Sequence, residues 1–165
     1  FTKQDKSIAD EVIKKGKGMA IIVNKWDLIK KETNTMRDFT IEMSLKFKSL
    51  SHYPVLFIST KTKQRISTIL KIANQVHDLR LTNLGTSDLN KFLQNILKLQ
   101  PPPATRGKAI SLKYMTQVSS APHLFVIFTN YPKLIPSSYK RFVENQLRGI
   151  FDLEGVPIRI SFRKK

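Results

Sequence analysis

The 165-residue sequence contains no cysteine, which excludes disulfides and thiolate metal sites and is compatible with a reducing cytoplasm. Its three histidines, His52, His77 and His123, are scattered along the chain, so we expect no metal site built on them. No segment approaches the ~18 consecutive apolar residues of a membrane span, and no signal-peptide pattern opens the chain. We therefore expect a cytoplasmic protein without a membrane partner.

Acidic residues are scarce: 12 Asp and Glu stand against 29 Lys and Arg, which gives a net charge of +17. The excess is +8 in residues 1–80 and +9 in residues 81–165, so the charge is not confined to a tail. A hydrophobic content of 41% is that of a folded globular protein. The charge predicts a polyanionic partner, most simply RNA. The alternative is a lysine-rich composition without functional meaning.

A third absence is the pattern Gly-x-x-x-x-Gly-Lys-Ser/Thr, so the sequence holds no phosphate-cradling loop and no Mg²⁺-binding hydroxyl of that kind. Asp152-Leu153-Glu154-Gly155 superficially matches the Asp-x-x-Gly signature for Mg²⁺ and the γ-phosphate. It closes a predicted helix, where we interpret Gly155 as a C′ cap. We therefore predict no catalytic and no metal-binding residue in this chain.

What the sequence does contain is Asn24-Lys25-Trp26-Asp27, directly after the apolar run at residues 19–23. Asn-Lys-x-Asp at the end of a buried strand is how a large class of GTPases recognises guanine. The Asp27 carboxylate can accept from the ring N–H and the exocyclic amino group of guanine, a donor pair that adenine lacks. Asn24 would bind the other polar edge and tie neighbouring loops, and the Lys25 stem would lie over the ring. The alternative is an ordinary turn before a helix.

A second short apolar run, residues 54–58, ends in Ser59-Thr60-Lys61. GTPases carry Ser-Ala-Lys or a similar loop after the next strand, and a backbone N–H of that loop reaches the guanine carbonyl oxygen. Thr60 replaces the usual Ala, which a backbone contact tolerates. The two runs are about thirty residues apart, which leaves room for the crossover helix that parallel strands require. Taken alone, Ser-Thr-Lys is equally typical of a helix N-cap.

Hydrophobic periodicity predicts alternating helices and strands in the first 81 residues. The predicted elements are a helix from Asp5 to Lys15 that stops at Gly16, a strand at 19–23, a helix from Asp38 to Leu50, a strand at 55–58 and a helix from about Ile66 to Leu81. This order describes the last part of a doubly wound α/β sheet. Phe1 would then lie in the middle of a domain.

From residue 82 onward the pattern predicts α-β-β-α-β, a small helix-on-sheet domain. Its elements are a helix with an apolar stripe from Leu89 to Leu97, strands at 110–118 and 124–128, a helix after Pro136-Ser137-Ser138, and a strand at 156–162. Ile110, Leu112 and Tyr114 are predicted to share one strand face, with Lys113 on the other. Arg141 and Arg148 are seven residues apart and are predicted to share the solvent face of the second helix.

Four segments of this second region resemble the C-terminal KH-like domain of the Der (EngA) family of bacterial GTPases. They are Thr-Arg-Gly-Lys at 105–108, Leu-Lys-Tyr at 112–114, Pro-Ser-Ser-Tyr-Lys-Arg-Phe at 136–142 and Gly-Val-Pro-Ile-Arg-Ile-Ser-Phe at 155–162. Residues 1–5 resemble the stretch after the switch region of the family's second G domain, so the resemblance covers the whole chain.

The resemblance implies the C-terminal half of a P-loop GTPase domain at residues 1–81 and an α+β KH-like domain at 82–165. It implies GTP or GDP as the ligand, with Mg²⁺ bound only in the full-length protein, and GTP hydrolysis by that protein; this chain alone is predicted to be inactive. The implied role is assembly of the large ribosomal subunit through ribosomal RNA, with another G domain of the same chain as a partner. The implied guanine-binding residues are Asn24, Lys25, Asp27, Ser59, Thr60 and Lys61.

The KH label carries a qualification, because nucleic-acid-binding KH domains clamp backbone through Gly-x-x-Gly and the glycines here never show that spacing. RNA contact would instead use Lys and Arg directed at phosphates, or the domain would mainly dock against other domains. The candidate RNA-binding residues are Arg106, Lys108, Lys113, Lys140, Arg141, Arg148, Arg159, Arg163, Lys164 and Lys165. An ordinary solvated basic surface is the alternative for these residues, and a stand-alone RNA-binding protein is the alternative for the whole chain.

Overall fold

A computed structural model describes residues 2–30 and 35–164 of this mixed α/β chain. The residues up to Arg80 together with Leu153–Pro157 form one compact unit, and Leu81–Asp152 together with the residues from Ile158 onward form a second. The α-helices are α1 Lys3–Lys14, α2 Thr35–Lys46, α3 Ile66–Leu81, α4 Thr86–Leu99 and α5 Ser137–Ile150. The strands are β1 Ile21–Val23, β2 Val55–Phe57, β3 Leu112–Ser120, β4 His123–Thr129 and β5 Ile158–Arg163.

In the first unit β1 and β2 form a parallel pair, in the register Ile21 to Val55 and Val23 to Phe57. The connection between them contains α2, as the parallel arrangement requires. Parallel pairing brings the carboxyl ends of both strands to the same edge, so the loops that follow β1 and β2 lie side by side.

Helix α1 begins with a capping box. The Thr2 hydroxyl accepts from the Asp5 backbone N–H at 3.2 Å, and the Asp5 carboxylate accepts from the Thr2 N–H at 2.7 Å. This backbone hydrogen bond from Thr2 holds the pKa of Asp5 below its usual value. The helix therefore starts before the predicted Asp5, and Gly16 ends it as predicted, with a φ of 67° and its N–H on the Ile13 carbonyl at 2.9 Å.

Two predicted elements of the first unit have different limits. The helix predicted from Asp38 to Leu50 is two elements, α2 and a 3₁₀ turn at Lys48–Leu50, because Phe47 leaves the helical conformation. That break lets Leu50 turn inward, where it is fully buried with Ala9 and Tyr53. Helix α3 has no continuous buried face: its Val76 is buried, but its Leu70 is 71% exposed.

The segment Leu153–Pro157 is held in the first unit by backbone hydrogen bonds of Gly155. The Gly155 N–H donates to the His52 carbonyl and the Gly155 carbonyl accepts from the Met19 N–H, both at 2.8 Å. Gly155 has a φ of +77°, and a Cβ there would lie 2.6 Å from Cγ2 of Val76. The interpretation of Gly155 as a C′ cap is therefore wrong, since α5 ends at Ile150 and the glycine is required by this close backbone approach.

The second unit is a three-stranded sheet in the order β3-β4-β5, antiparallel between β3 and β4 and parallel between β4 and β5. Helix α4 packs along β3, and α5 packs against α4 and β5. The element order α-β-β-α-β agrees with the sequence prediction. The core consists of apolar residues from both helices and the sheet: Leu89, Phe92, Leu93, Ile96, Met115, Phe125, Ile127, Tyr139, Val143 and Leu147.

A β-bulge changes the predicted face of β3. Leu112 pairs with Thr129 and Tyr114 with Phe128, so Lys113 is an extra residue on this strand. The extra residue reverses the alternation. Met115 is therefore fully buried and Tyr114 is 42% exposed. The prediction that Tyr114 shares the buried face of Leu112 is wrong for this reason, and Ile110 lies outside the strand.

The last strand also starts later than predicted, at Ile158 instead of Val156, because Val156 and Pro157 belong to the first unit. Within β5, Ile158 is buried, whereas Arg159 and Arg163 are exposed.

Candidate functional site

The loops after β1 and β2 are joined by backbone hydrogen bonds that extend the parallel ladder. The Ile58 N–H donates to the Val23 carbonyl at 2.8 Å, and the Trp26 N–H donates to the Ile58 carbonyl at 2.9 Å. Asn24 to Asp27 therefore lie beside Ser59 to Lys61, as the interpretation of the two motifs requires. Lys61 is exposed in the second loop.

Asn24 links the two loops through its side-chain oxygen. Its Oδ1 accepts from the backbone N–H of Lys25 at 2.7 Å and from that of Thr60 at 3.2 Å, and its Nδ2 lies 3.4 Å from the Thr60 hydroxyl. The loop-tying role predicted for Asn24 is thus visible in the geometry. The Thr60 N–H, which the resemblance directs at the guanine carbonyl, is used here for Asn24.

Asp27 is held by the fully buried Ser59. The Ser59 hydroxyl donates to Oδ1 of Asp27 at 2.5 Å and accepts from the Thr62 backbone N–H at 3.1 Å. A carboxylate has about four lone-pair positions, and this bond uses one of them while fixing the orientation of the group. Ser59 is therefore a positioning residue for the carboxylate that the motif assigns to guanine.

Trp26 occupies the variable position of the motif, yet it is the anchor of the loop. It is 1% exposed, and its ring centroid lies 4.3 Å from that of Phe57 and 6.0 Å from that of Phe39. Lys25 has a left-handed conformation with φ 62° and ψ 32°, which is uncommon for a residue with a side chain. The buried Trp26 and the turn at Lys25 leave Asn24 and Lys25 exposed beside the half-buried Asp27.

Three residues that support the second loop were not predicted from the sequence. Thr62 donates to Ser59, the Gln64 carbonyl accepts from the Ser59 N–H at 3.2 Å, and the Arg65 guanidinium donates to the Phe57 carbonyl at 3.2 Å. Arg65 has a φ of 57°. None of them belongs to a motif, so no sequence signal marked them.

The comparisons with known proteins place the second unit in a known family and match the whole chain to one group of relatives. Residues 83–163 match the family model described as the C-terminal KH-domain-like region of EngA bacterial GTPase enzymes. The chain is 42% identical to GTPase Der of Lactobacillus johnsonii over 99% of its length and 38% of the relative's, and 43% identical to GTPase Der of Thermoanaerobacter pseudethanolicus over 99% and 37%. The chain belongs to the Der (EngA) family. It spans well under half the length of these curated relatives.

The KH-like domain displays most of its basic residues on the surface. Arg106 and Gly107, with φ values of 52° and 70°, form a tight turn between Thr105 and Lys108. Lys108 lies over the Tyr131 ring at 5.0 Å from its centroid. The predicted RNA-binding residues that are exposed are Arg106, Lys108, Lys113, Lys140, Arg141, Arg159, Arg163 and Lys164. Lys165 lies outside the described residues.

Arg148 differs from these residues. Its side chain is only 9% exposed, and its Nε lies 3.5 Å from Oε1 of Glu144, one helical turn earlier. The prediction that Arg148 shares a solvated helix face with Arg141 is therefore wrong. Spacing of seven residues gives a common direction along α5, but it cannot show that the packing encloses one of the two side chains.

The Der family name implies a guanine nucleotide and a metal ion, and the residues present suit only the guanine base of the nucleotide. The acceptor pair of Asp27, oriented by Ser59, suits the donor edge of guanine. Among residues 2–30 and 35–164, no cluster of three or more His, Asp or Glu side chains could hold a metal ion. In the same described part of the chain, no helix has the length and apolar character of a membrane span.

Proposed function

We propose that this chain supplies guanine recognition and an RNA-directed KH-like domain to a GTPase that acts in assembly of the large ribosomal subunit. Residues 1–81 would be the C-terminal half of its second G domain, and residues 82–165 the KH-like domain. The observation that carries the proposal is the joined pair of loops, in which Ser59 orients Asp27 and Asn24 ties Thr60. Each motif alone is also typical of an ordinary turn or helix start, but the hydrogen bonds that join the two loops favour a single binding site.

The chemistry of this site favours guanine over adenine. The two Asp27 oxygens accept hydrogen bonds and donate none, so they match the adjacent N–H groups of guanine. Adenine would leave the carboxylate without these partners. Loss of such pairing in a partly buried site supports discrimination of about 10⁴-fold or more.

The same site does not bind phosphates. Most nucleotide affinity in this class comes from backbone N–H groups, a lysine and Mg²⁺ around the phosphates, and the sequence contains no such loop. We therefore propose that GTP or GDP and its Mg²⁺ bind the full-length protein, and that this chain alone does not hydrolyse GTP. In the full-length protein, GTP binding would change how the G domains pack on the KH-like domain, and so which surface meets ribosomal RNA.

The RNA partner is supported by charge. The +9 excess of residues 81–165 and the exposed Arg and Lys side chains of the KH-like domain favour a polyanion, and ribosomal RNA is the partner that the Der resemblance implies. We accordingly place the protein in the cytoplasm. A stand-alone basic RNA-binding protein, without any nucleotide function, is the competing proposal.

The test uses the protein encoded by the complete gene, with the 165-residue chain as the control. Hydrolysis of GTP and ATP is measured with and without purified large ribosomal subunits, and co-sedimentation is compared in GTP and GDP. We expect GTP-specific hydrolysis and nucleotide-dependent co-sedimentation of the full-length protein, and no hydrolysis by the chain. A gene whose reading frame starts at Phe1, or equal hydrolysis of ATP, would refute the GTPase proposal.

A further inference from the structure

The sheet of the KH-like domain carries an aromatic pair in line with two cations. Tyr114 lies opposite Phe128, and Phe128 lies opposite Arg163, so these side chains project from the same face of the sheet. The Tyr114 and Phe128 rings have centroids 6.1 Å apart and are inclined by 34°. The β-bulge leaves Lys113 as the extra residue of β3 directly beside Tyr114. Lys113, Tyr114, Phe128 and Arg163 are named the aromatic row below.

The aromatic row lies on the sheet face opposite to that of Met115 and Ile127, at the end of β4 beyond the buried Val126. Met115 and Ile127, which alternate with its members along β3 and β4, are fully buried. Tyr114 retains 42% exposure, Lys113 and Arg163 are exposed, and Phe128 is half-buried. A cross-strand aromatic pair by itself stabilises a sheet, but that role requires neither the exposed ring face nor the flanking cations.

The charge of the sheet identifies the kind of ligand. None of the three strands contains Asp or Glu, and the two charged members of the aromatic row are both cationic. Aromatic rings on a sheet surface stack on unpaired bases, and neighbouring Lys and Arg side chains neutralise the phosphates between those bases. Fully paired RNA keeps its bases stacked inside the helix, so it presents no free ring face to Tyr114.

We propose that the aromatic row is a binding site for unpaired bases of single-stranded RNA. Tyr114 and Phe128 stack on the bases, and Lys113 and Arg163 contact the phosphates at either end of the row. This proposal rests on the proposed function, because it takes RNA as the partner. In this domain the sheet surface would bind the RNA that a Gly-x-x-Gly loop binds in other KH domains. Because stacking requires only a ring face, the site binds with little base preference.

The test compares three variants of the 165-residue chain with the unmodified chain. Tyr114→Leu keeps apolar volume but removes the ring, Tyr114→Phe keeps the ring, and Tyr131→Leu removes a tyrosine of similar exposure, 37%, outside the row. The probes are a short fluorescent single-stranded RNA, the corresponding duplex, and an abasic strand of equal length. Fluorescence anisotropy gives each affinity, and thermal unfolding confirms that each variant is folded.

For Tyr114→Leu we expect affinity for the single strand to fall about 5- to 100-fold, with duplex and abasic affinities unchanged. Tyr114→Phe should bind as the unmodified chain does. Tyr131 contacts Lys108, a candidate phosphate contact, so any change in Tyr131→Leu should be equal for the three probes. The slope of log affinity against log salt should stay constant in Tyr114→Leu, because no phosphate contact is removed.

If Tyr114→Leu loses affinity equally for all three probes, or loses none, the proposal of a base-stacking site is wrong. A loss confined to the single strand in Tyr131→Leu, as large as in Tyr114→Leu, would also contradict the proposal. If Tyr114→Leu is unfolded, ultraviolet crosslinking of 5-iodouridine RNA to the unmodified chain decides the question: we expect crosslinks at Tyr114 or Phe128, and crosslinks confined to other segments contradict the proposal. Failure of the chain to bind any RNA would instead refute the RNA part of the proposed function. A change in sedimentation of the RNA-free chain on Tyr114→Leu, with RNA binding unaltered, would assign the row to a protein interface and also overturn the proposal.

Discussion

Asp27 is the residue on which the guanine interpretation depends most directly. Its carboxylate is oriented by Ser59 and lies beside the Asn24–Thr60 bridge. Substitution by Asn replaces one acceptor by a donor, which opposes the amino group of guanine but suits the second carbonyl of xanthine. We expect Asp27→Asn in the full-length protein to move nucleotide preference from GTP toward XTP.

Competition binding of GTP and XTP to the full-length protein measures this change. Asp38→Asn, on an exposed part of the first turn of α2, is the matched control and should leave the preference unaltered. If Asp27→Asn and the unmodified protein show the same ratio of GTP to XTP affinity, Asp27 does not recognise the base.

At the residue scale, the sequence predicts the motif residues but not the contacts that hold them. Asn24 and Asp27 follow from four letters after an apolar run, and the structure brings both to the same edge of the sheet as Ser59. The left-handed Lys25 and the Arg65 contact with the Phe57 carbonyl depend on how the loops fold over the sheet. No local pattern encodes them, because their partners are distant in the chain or lie in backbone geometry.

At the element scale, the packing of the Leu153–Pro157 segment predicts that a side chain at Gly155 destabilises the first unit. Gly155→Ala places a Cβ 2.6 Å from Val76 and 3.1 Å from the Met19 carbonyl, at a φ of +77° that disfavours any side chain. We expect the first unit to lose about 1–3 kcal/mol of unfolding free energy. Urea unfolding followed by the fluorescence of Trp26, the single tryptophan, measures this loss in the first unit.

Gly149→Ala is the control, since a Cβ at this helical position of α5 meets nothing within 4 Å. It should leave the fluorescence transition unchanged and stabilise the helix by about 0.5–1 kcal/mol, seen by circular dichroism. A Gly155→Ala transition that coincides with that of the unmodified chain would show that the bridge tolerates a side chain.

Tyr139 in α5 is expected to make the stability of the second unit fall at high pH. Burial raises its pKa to about 12, and its hydroxyl donates to the Gln100 carbonyl at 3.0 Å. A raised pKa means that the neutral phenol is favoured in the fold, so its stabilising contribution is complete below pH ~10 and is lost as pH rises toward 12. We expect Tyr139→Phe to lose less stability than the unmodified chain between those pH values, in denaturant titrations followed by circular dichroism. Parallel stability curves would contradict this assignment.

The elements themselves were largely predictable, because the sequence marks them by apolar spacing along the helices, by continuous apolar runs at β1 and β2, or by the alternation along β3. The α-β-β-α-β order and the two parallel strands follow from periodicity alone. Their limits were not, for three physical reasons: the Thr2 capping box extends α1, the bulge at Lys113 reverses the faces of β3, and the contacts of Gly155 draw Val156 away from β5. Each reason is a hydrogen-bonding detail that an apolar pattern does not contain.

For the whole molecule, the separation of base recognition from phosphate binding predicts weak nucleotide affinity. The 165-residue chain contains the two loops that we propose for guanine but no phosphate-binding loop, so calorimetric titration with GDP should show no binding tighter than the high micromolar range. The full-length protein under the same conditions is the positive control. A sub-micromolar dissociation constant for the chain would mean that the phosphate-binding part is not needed.

The net charge of +17 predicts a second property of the whole molecule, a strong dependence of RNA binding on salt. Each phosphate contact releases counterions, so log affinity falls with log salt by about 0.7–0.9 per contact. Arg141 is exposed on α5, whereas Arg148 on the same helix is 9% exposed and adjoins Glu144. Comparing variants of the two residues therefore distinguishes the effect of an exposed arginine from that of an enclosed one on the same helix.

We expect Arg141→Ala to lower the salt slope by about 0.7–0.9 and to leave the thermal unfolding temperature nearly unchanged. Arg148→Ala should leave the slope constant and lower the unfolding temperature, because it removes packing and leaves Glu144 without this cation. Salt-series titrations against a structured ribosomal RNA fragment, with thermal melts of both variants, measure the two effects. An Arg141→Ala variant with unaltered slope and affinity would make this face ordinary solvated surface or a contact with another domain, and a reduced slope in Arg148→Ala would show that RNA binding exposes the enclosed arginine.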